Sequence, residues 1–193
     1  AEDTSTDFQS AFVPQNNGRG RNPADPNGLP IGFNPDDERG PSLQDQRHRL
    51  VVSGVYTLPR DIQLGTVTTI GSGRPYTILA GSDLNGDGDG GGAPTDRARL
   101  VASDASSSVG RNSSTLPAQV TVDVRAARRF RLTDGLTLEG IFEVFNLFNR
   151  TNFANVQNVF GTGSYPASPI STFGQFTQAG PPRQAQVAIR ATF

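Results

Sequence analysis

The residues best suited to chemistry lie in a glycine-rich stretch near the middle of the chain. The order D-x-N-x-D-G there matches the opening of calcium loops, in which alternate side chains supply hard oxygen ligands. The twelfth position, where an EF-hand carries a bidentate Glu, is Pro94, and no helical pattern flanks the stretch. An EF-hand is therefore excluded, and an acidic residue further on would close a different, non-helical loop. We predict a calcium ion bound by Asp83, Asn85, Asp87, Asp89 and Asp96; the alternative is a solvated Gly/Asp turn without an ion.

Other candidate groups do not form a catalytic set. His48 is the single His and lies between two Arg residues, which indicates a surface residue rather than a metal ligand. Glu139 and Glu143 share one face of a predicted strand, where pairing with Arg125 and Arg129 across strands is commoner than acid–base chemistry. No catalytic triad order, phosphate loop or dinucleotide fingerprint is present, so we predict a protein that is not an enzyme.

Composition narrows the class of protein further. The 193 residues include 22 Gly and 14 Pro, and 34% are hydrophobic, which favours strands and loops over helices. No Cys is present, so disulfides and thiolate chemistry are excluded. The formal net charge of −1 gives no electrostatic footprint for binding nucleic acid.

Apolar residues alternate with polar ones in five segments, which is the pattern of β-strands with one apolar face. The second strand is predicted to resume briefly at residues 76–79. Tight turns are predicted at Pro59–Asp61 and at residues 133–135, where Gly135 would supply a positive φ. The predicted strands cover residues 49–58, 62–71, 119–132, 136 to about 145, and 183–193. The sequence thus predicts an all-β fold, an antiparallel meander of about five long strands.

The remaining segments are extended or loop-like. Residues 1–48 are predicted to form a Pro/Gly-rich N-terminal arm, with one short strand at residues 7–13, and residues 49–193 an antiparallel β-domain. Long loops are predicted at residues 80–117 and 150–182. The connections therefore alternate between long and short, so that all long loops lie on one side of the sheet.

Two motifs carry a resemblance to a known family. The stretch FEVFNLFNRTNF, at residues 142–153, and a last strand that ends in Phe193 resemble the C-terminal strands of TonB-dependent outer-membrane receptors, in particular the Oar-like group. The resemblance covers about residues 28–193. It implies short turns on the periplasmic side, long loops outside, and a location in the outer membrane or at the bacterial cell surface. Ala191 departs from the family pattern, which often has an aromatic residue there.

Receptors of this family have barrels of about 22 strands, and five strands leave an incomplete barrel. Two open edges with unpaired N–H and C=O groups cannot face lipid. Three arrangements are open: the chain is part of a larger barrel, it closes a small barrel with its N-terminal segment, or its edges pair with other copies. An extended arm could add a strand to a neighbour's edge, and a repeated contact of this kind makes a filament.

Two functions follow from these arrangements. The favoured hypothesis is structural: an exported protein of receptor ancestry that forms filaments or tubes through its strand edges and N-terminal arm, with calcium stabilising a loop. The alternative is a C-terminal barrel segment of a TonB-dependent receptor that transports a bulky substrate. Gly54, Ala126, Arg128 and Gly140 interrupt the apolar faces. A lipid-facing surface would be continuously apolar, so the interruptions favour assembly in water.

Overall fold

The computed structural model describes residues 2–3, 39–82, 84, 96–104 and 107–193. The chain divides into two compact units whose segments alternate along the sequence. The sheet unit comprises Gln46–Gly73, Pro117–Ala154 and Gln178–Phe193, and the loop unit comprises Ala1–Asp45, Arg74–Leu116 and Asn155–Thr177. Within the described part of the chain, no helix has the length and apolar character of a transmembrane span.

The sheet unit contains an antiparallel sheet of five strands: β3 (Arg49–Leu58), β4 (Ile62–Gly71), β7 (Gln119–Thr133), β8 (Leu136–Phe145) and β11 (Gln184–Thr192). Their order in the sheet is β11-β8-β7-β4-β3. Neighbouring strands along the chain are neighbours in the sheet, so the topology is a meander. The predicted all-β antiparallel fold is confirmed, and the strand bounds differ from the predicted ones by no more than about one residue.

Two tight turns lie at one end of the strands, called here the short-turn edge; the long connections lie at the other end, the long-loop edge. Arg60 and Asp61 connect β3 to β4 with φ angles of 68° and 56°, and Leu58 pairs with Ile62 on either side of them. Together with Pro59 they form a three-residue loop, and both adopt the left-handed conformation, which is uncommon for residues other than glycine. The opposite edge carries the connections from β4 to β7 and from β8 to β11, so the short-turn edge and the long-loop edge are distinct, as predicted.

The second turn differs from its prediction in one respect. It falls at Asp134–Gly135, as expected, but the glycines with positive φ are elsewhere. The register of β7 against β8 shifts between Arg131 and Thr133, which indicates a bulge in β7. A bulge changes the local twist of a hairpin, and a left-handed Gly135 is then not required.

The register places all five alternating patterns on the same two faces. Leu64 of β4 pairs with Ala126 of β7, Ala126 pairs with Phe142 of β8, and Phe142 pairs with Val187 of β11. Directly paired residues point to the same side of a sheet, so these residues lie on one apolar face. The intervening residues form the other face, called the polar face because its charged groups lie there, although it also carries Val51, Val55, Val67, Ile141 and Phe145.

The loop unit has a small core of its own. Its central cluster consists of the buried residues Ile78, Ala98, Val109 and Phe160. Two further rings, those of Tyr165 and Phe173, meet the Phe160 ring edge-on with centroids 5.1 Å and 5.2 Å away. Residues far apart in sequence therefore pack together in segments that the sequence presents as loops.

Short ladders and a buried polar network complete the loop unit. β5 (Pro75–Tyr76) pairs with β6 (Ser114–Thr115), and β1 (Glu2–Asp3) pairs with β2 (Gly40–Pro41). Asn112 accepts a hydrogen bond from the Thr77 hydroxyl (2.7 Å) and donates one to the Pro41 carbonyl (2.6 Å). The predicted resumption at residues 76–79 is reduced to β5 and an isolated bridge at Leu79.

A further pair of strands, β9 (Phe153–Val156) and β10 (Phe176–Ala179), forms a two-stranded sheet. It lies at the two ends of the segment that was predicted as the second long loop. The strand predicted at residues 7–13 lies outside the described residues, and the N-terminal arm as a separate domain stays a prediction.

Candidate functional site

The polar face of the sheet carries two ion pairs between β7 and β8. Nη1 of Arg125 lies 3.5 Å from Oε1 of Glu143, and Nε of Arg129 donates a hydrogen bond of 3.4 Å to Oε1 of Glu139. The register causes both contacts, because Arg125 pairs directly with Glu143 and Arg129 with Glu139. The predicted cross-strand ion pairing is confirmed.

Further contacts link this face to the adjacent strand and loop. Gln186 of β11 donates a hydrogen bond from its amide to Oε2 of Glu143. Asp123 of β7 accepts a hydrogen bond of 2.8 Å from the backbone N–H of Asn146, just beyond β8. An ion pair that is about half exposed, as at Arg125, contributes little to stability, so these groups are better suited to lining a polar surface.

The polar face is concave. A cavity of about 560 Å³ opens on it, and its lining residues come from β3, β4, β7 and β8. Charged groups lie at the β7–β8 side of the cavity, and small or apolar groups at the β3–β4 side. The lining residues of this face include Ser53, Val55, Val67, Asp123, Arg125 and Glu143. The cavity thus has a mixed lining of apolar and charged groups, and its carboxylates already have hydrogen-bonding or ionic partners.

The apolar face is uncovered. Tyr56, Val187 and Ile189 are 68%, 76% and 78% exposed, whereas a soluble sheet normally packs its apolar face against a core. Among the described residues of the sheet unit, Ala127 is the one buried hydrophobic residue. The apolar face of the five-stranded sheet is therefore exposed.

The residues predicted to bind calcium are only partly described. Asp83, Asn85, Asp87 and Asp89 lie outside the described residues. Asp96 is 3% exposed, and its Oδ2 accepts a hydrogen bond of 2.6 Å from the backbone N–H of Leu84.

The Asp96 carboxylate thus binds Leu84, the second residue of the D-x-N-x-D-G stretch and its one described residue. Among the described residues, no group of three or more His, Cys, Asp or Glu side chains could hold a metal ion. Calcium binding stays a prediction.

His48 lies on the surface, as predicted. Its carbonyl accepts a hydrogen bond of 2.8 Å from the N–H of Ser72, and its own N–H donates to the Ser72 hydroxyl (3.2 Å). His48 therefore contributes through its backbone at the start of β3.

Sequence reasoning missed the role of the asparagines after β8. Asn146 and Asn149 have φ angles of 50° and 52°, and Asn146 and Asn152 are buried. The Asn146 amide donates to the carbonyls of Arg150 (2.9 Å) and Pro181 (3.1 Å), and its oxygen accepts from the Arg150 N–H (3.0 Å). The three Asn residues that follow the strand could have indicated this role, because Asn side chains form hydrogen bonds with nearby backbone groups and tolerate the left-handed conformation.

An antiparallel meander with short turns on one edge, long connections on the other and an exposed apolar face has the features of an outer-membrane β-barrel wall. The chain belongs to the outer membrane beta barrel domain family, whose model matches residues 14–108 and 103–186. Searches among curated proteins and among solved structures found no match. The family assignment supports a location in the outer membrane.

Proposed function

We propose that this chain forms part of the wall of an outer-membrane receptor barrel of the TonB-dependent kind, through which a bulky substrate is taken up. The apolar face contacts lipid, the concave polar face lines the lumen, and the long-loop edge faces the outside of the cell. The observation that carries the proposal is the segregation of apolar and polar residues on the two faces of one meander. The family match and the resemblance of residues 142–153 to Oar-like receptors support it.

The two outer strands of the sheet favour a place in a larger barrel. β3 and β11 are the outer strands of the described sheet, and each has one side without a partner strand. In lipid, each unpaired N–H or C=O group costs several kcal/mol. We therefore propose that both edges pair with further strands of the same barrel wall.

The hypothesis of filaments uses the same open edges, and it stays a prediction. The feature that favours the barrel wall is the exposed apolar face. Pairing through the strand edges would not cover this face, so a filament in water would need a further protein layer over it. Gly54 and Gly140 have open space where a Cβ would stand. They are small breaks in a surface that Leu64, Phe142 and Val187 continue on the neighbouring strands.

The lipid-facing assignment is tested by placing an arginine on either face of β11. Val187→Arg puts the charge on the apolar face, and Ala188→Arg puts it on the polar face of the same strand. We expect Val187→Arg to lower the free energy of unfolding by about 2–4 kcal/mol, the cost of Arg near the bilayer midplane. Ala188→Arg should change it by less than about 1 kcal/mol, because lumen positions tolerate charge.

The measurement is urea unfolding, followed by circular dichroism, of the whole barrel that contains this chain, refolded in phospholipid vesicles. Equal effects of the two substitutions would contradict the assignment of the faces. For the transport step, cells that lack this chain should lose uptake of one bulky nutrient to the same degree as cells that lack TonB. Normal uptake of bulky nutrients in such cells would contradict the receptor role.

A further inference from the structure

The apolar face of the sheet contains one charged side chain among its described residues, that of Arg128. Arg128 pairs with Ile62 of β4 on one side and with Gly140 of β8 on the other. Gly140 in turn pairs with Ile189 of β11. An arginine in such a row is costly in lipid unless its charge reaches water or an anion.

The structure shows in which direction this charge is displaced. The guanidinium carbon of Arg128 lies 4.8 Å from the centroid of the Phe130 ring. Phe130 is on the same face and two residues closer to the β7–β8 turn. The side chain therefore leans over an aromatic ring toward the short-turn edge, as snorkelling arginines do at membrane interfaces.

Arg128 also lies close to that edge on its other side. Its partner Ile62 is the first residue of β4, directly after the tight turn. The carbonyl of Asp61, in that turn, accepts a hydrogen bond of 3.3 Å from the N–H of Arg129. On its β4 side Arg128 thus borders the short-turn edge of the apolar face, whereas on its β8 side β7 and β8 extend further, to Thr133 and Leu136.

No carboxylate within the described part of the chain forms an ion pair with Arg128. The nearby carboxylates Glu139 and Glu143 are on the polar face and bind Arg129 and Arg125. Beside Arg128, the position of Gly140 is open, with no heavy atom within 4 Å of where a Cβ would stand. The charge and an adjacent apolar notch are both accessible from the lipid side.

We infer that Arg128, Phe130 and the notch at Gly140 form a binding site for an anionic phospholipid in the leaflet next to the short-turn edge. The guanidinium donates hydrogen bonds to the lipid phosphate, for which its planar fork is well suited. An acyl chain packs into the notch beside Ile189. The inference rests on the proposed function in one respect, namely that the apolar face contacts lipid.

The test uses tryptophan fluorescence, because the chain contains no Trp. Phe130→Trp supplies a single fluorophore and keeps an aromatic ring under Arg128. The barrel that contains the variant chain, with any Trp outside this chain replaced by Phe, is reconstituted in vesicles that contain brominated phosphatidylglycerol or brominated phosphatidylcholine at equal mole fraction. We expect phosphatidylglycerol to be favoured about fivefold next to the fluorophore, the factor for one arginine at an anionic surface.

Matched variants identify the group responsible. In the Phe130→Trp background, Arg128→Gln should abolish the preference, and Arg128→Lys should retain most of it because the positive charge remains. Arg131→Gln is the control: it removes the same charge from the same strand, but on the polar face, where Arg131 pairs with Thr137. It should leave the preference unchanged.

Three outcomes overturn the inference: no preference in the Phe130→Trp chain, an unchanged preference after Arg128→Gln, or an equal loss after Arg131→Gln. A second reporter, Phe142→Trp, separates this result from the proposed function. Quenching of that fluorophore by both brominated lipids, without a preference at position 130, would refute only the lipid site. No quenching by either lipid would refute the lipid-facing assignment itself.

Discussion

Asparagine side chains take the place of main-chain partners where strands of this protein end. Asn152 accepts a hydrogen bond of 2.8 Å from the N–H of Val120 and donates one of 2.9 Å to the Val120 carbonyl. One amide thus satisfies both backbone groups of a residue near the start of β7, as a neighbouring strand would. Asn149 accepts from the N–H of Arg183 (3.0 Å), immediately before β11. The asparagines therefore fix the positions at which the chain leaves and re-enters the sheet.

Replacement of Asn146 should show how much this arrangement contributes to stability. Asn146→Ala removes three hydrogen bonds and places an alanine at φ near 50°. We expect the free energy of unfolding in vesicles to fall by about 3 kcal/mol, from the unsatisfied groups and the left-handed backbone together.

Asn146→Gly is the matched comparison, because glycine adopts the left-handed conformation without strain. It should lower the free energy of unfolding by about 1 kcal/mol less than alanine does, as measured by urea unfolding. Equal losses for the two variants would mean that the backbone conformation contributes nothing, and no loss for either would contradict the role of the hydrogen bonds.

A second prediction at the level of residues concerns calcium. Asp96→Asn keeps an oxygen that can accept the Leu84 N–H, but it removes the negative charge. If Asp96 is a calcium ligand, half-maximal protection of residues 81–97 from protease should require about tenfold more calcium in the variant.

Asp134→Asn, in the β7–β8 turn, is the control and should not change the calcium requirement. The measurement is limited proteolysis over a calcium titration, with a chelator as the starting point. Cleavage within residues 81–97 that is the same with and without calcium would contradict the calcium hypothesis.

At the scale of elements, the long strands could be predicted closely and the loop unit could not. Strands such as β3 and β4 alternate over ten residues each, and a period of two needs no knowledge of distant residues. The core of the loop unit depends on packing between residues such as Ile78 and Phe160, which are 82 residues apart in the sequence. No local pattern encodes that contact, so the sequence indicated only glycine-rich loops.

The turns show the same limit on a smaller scale. Pro59–Asp61 was predicted as a tight turn from its residue types, and the turn is present. The left-handed conformation, however, falls on Arg60 and Asp61 rather than on Gly135. Strand register and twist decide which residue takes this conformation, and the bulge in β7 was not readable from the alternation. The ion pairs on the polar face were predictable, because the register that creates them follows from the hairpin.

At the scale of the whole molecule, the barrel wall and the filament hypotheses differ in what the purified chain does in water. The barrel wall predicts no regular assembly in detergent-free buffer and discrete particles in detergent, because the exposed apolar face requires a cover. Electron microscopy of the 193-residue chain under both conditions is the measurement. Regular filaments in buffer would contradict the barrel wall and favour assembly through the strand edges.

The N-terminal arm provides the control for that experiment. On the filament hypothesis, deletion of residues 1–20 should abolish assembly, because the arm would supply the strand that joins copies. Filaments that persist after the deletion would exclude the arm as the joining element and leave only contacts between β3 and β11.

The ladder between β5 and β6 has a consequence for chain entropy and for variation of the loop. Pro75 pairs with Thr115, and the N–H of Leu116 donates a hydrogen bond of 2.9 Å to the carbonyl of Arg74. A connection of more than forty residues is therefore clamped where it starts and ends. For the joining of β4 to β7, the effective loop shrinks about eightfold, which lowers the closure cost by about 2 kcal/mol. The connection between Tyr76 and Ser114 can therefore change in length or sequence at little cost to strand pairing in the sheet.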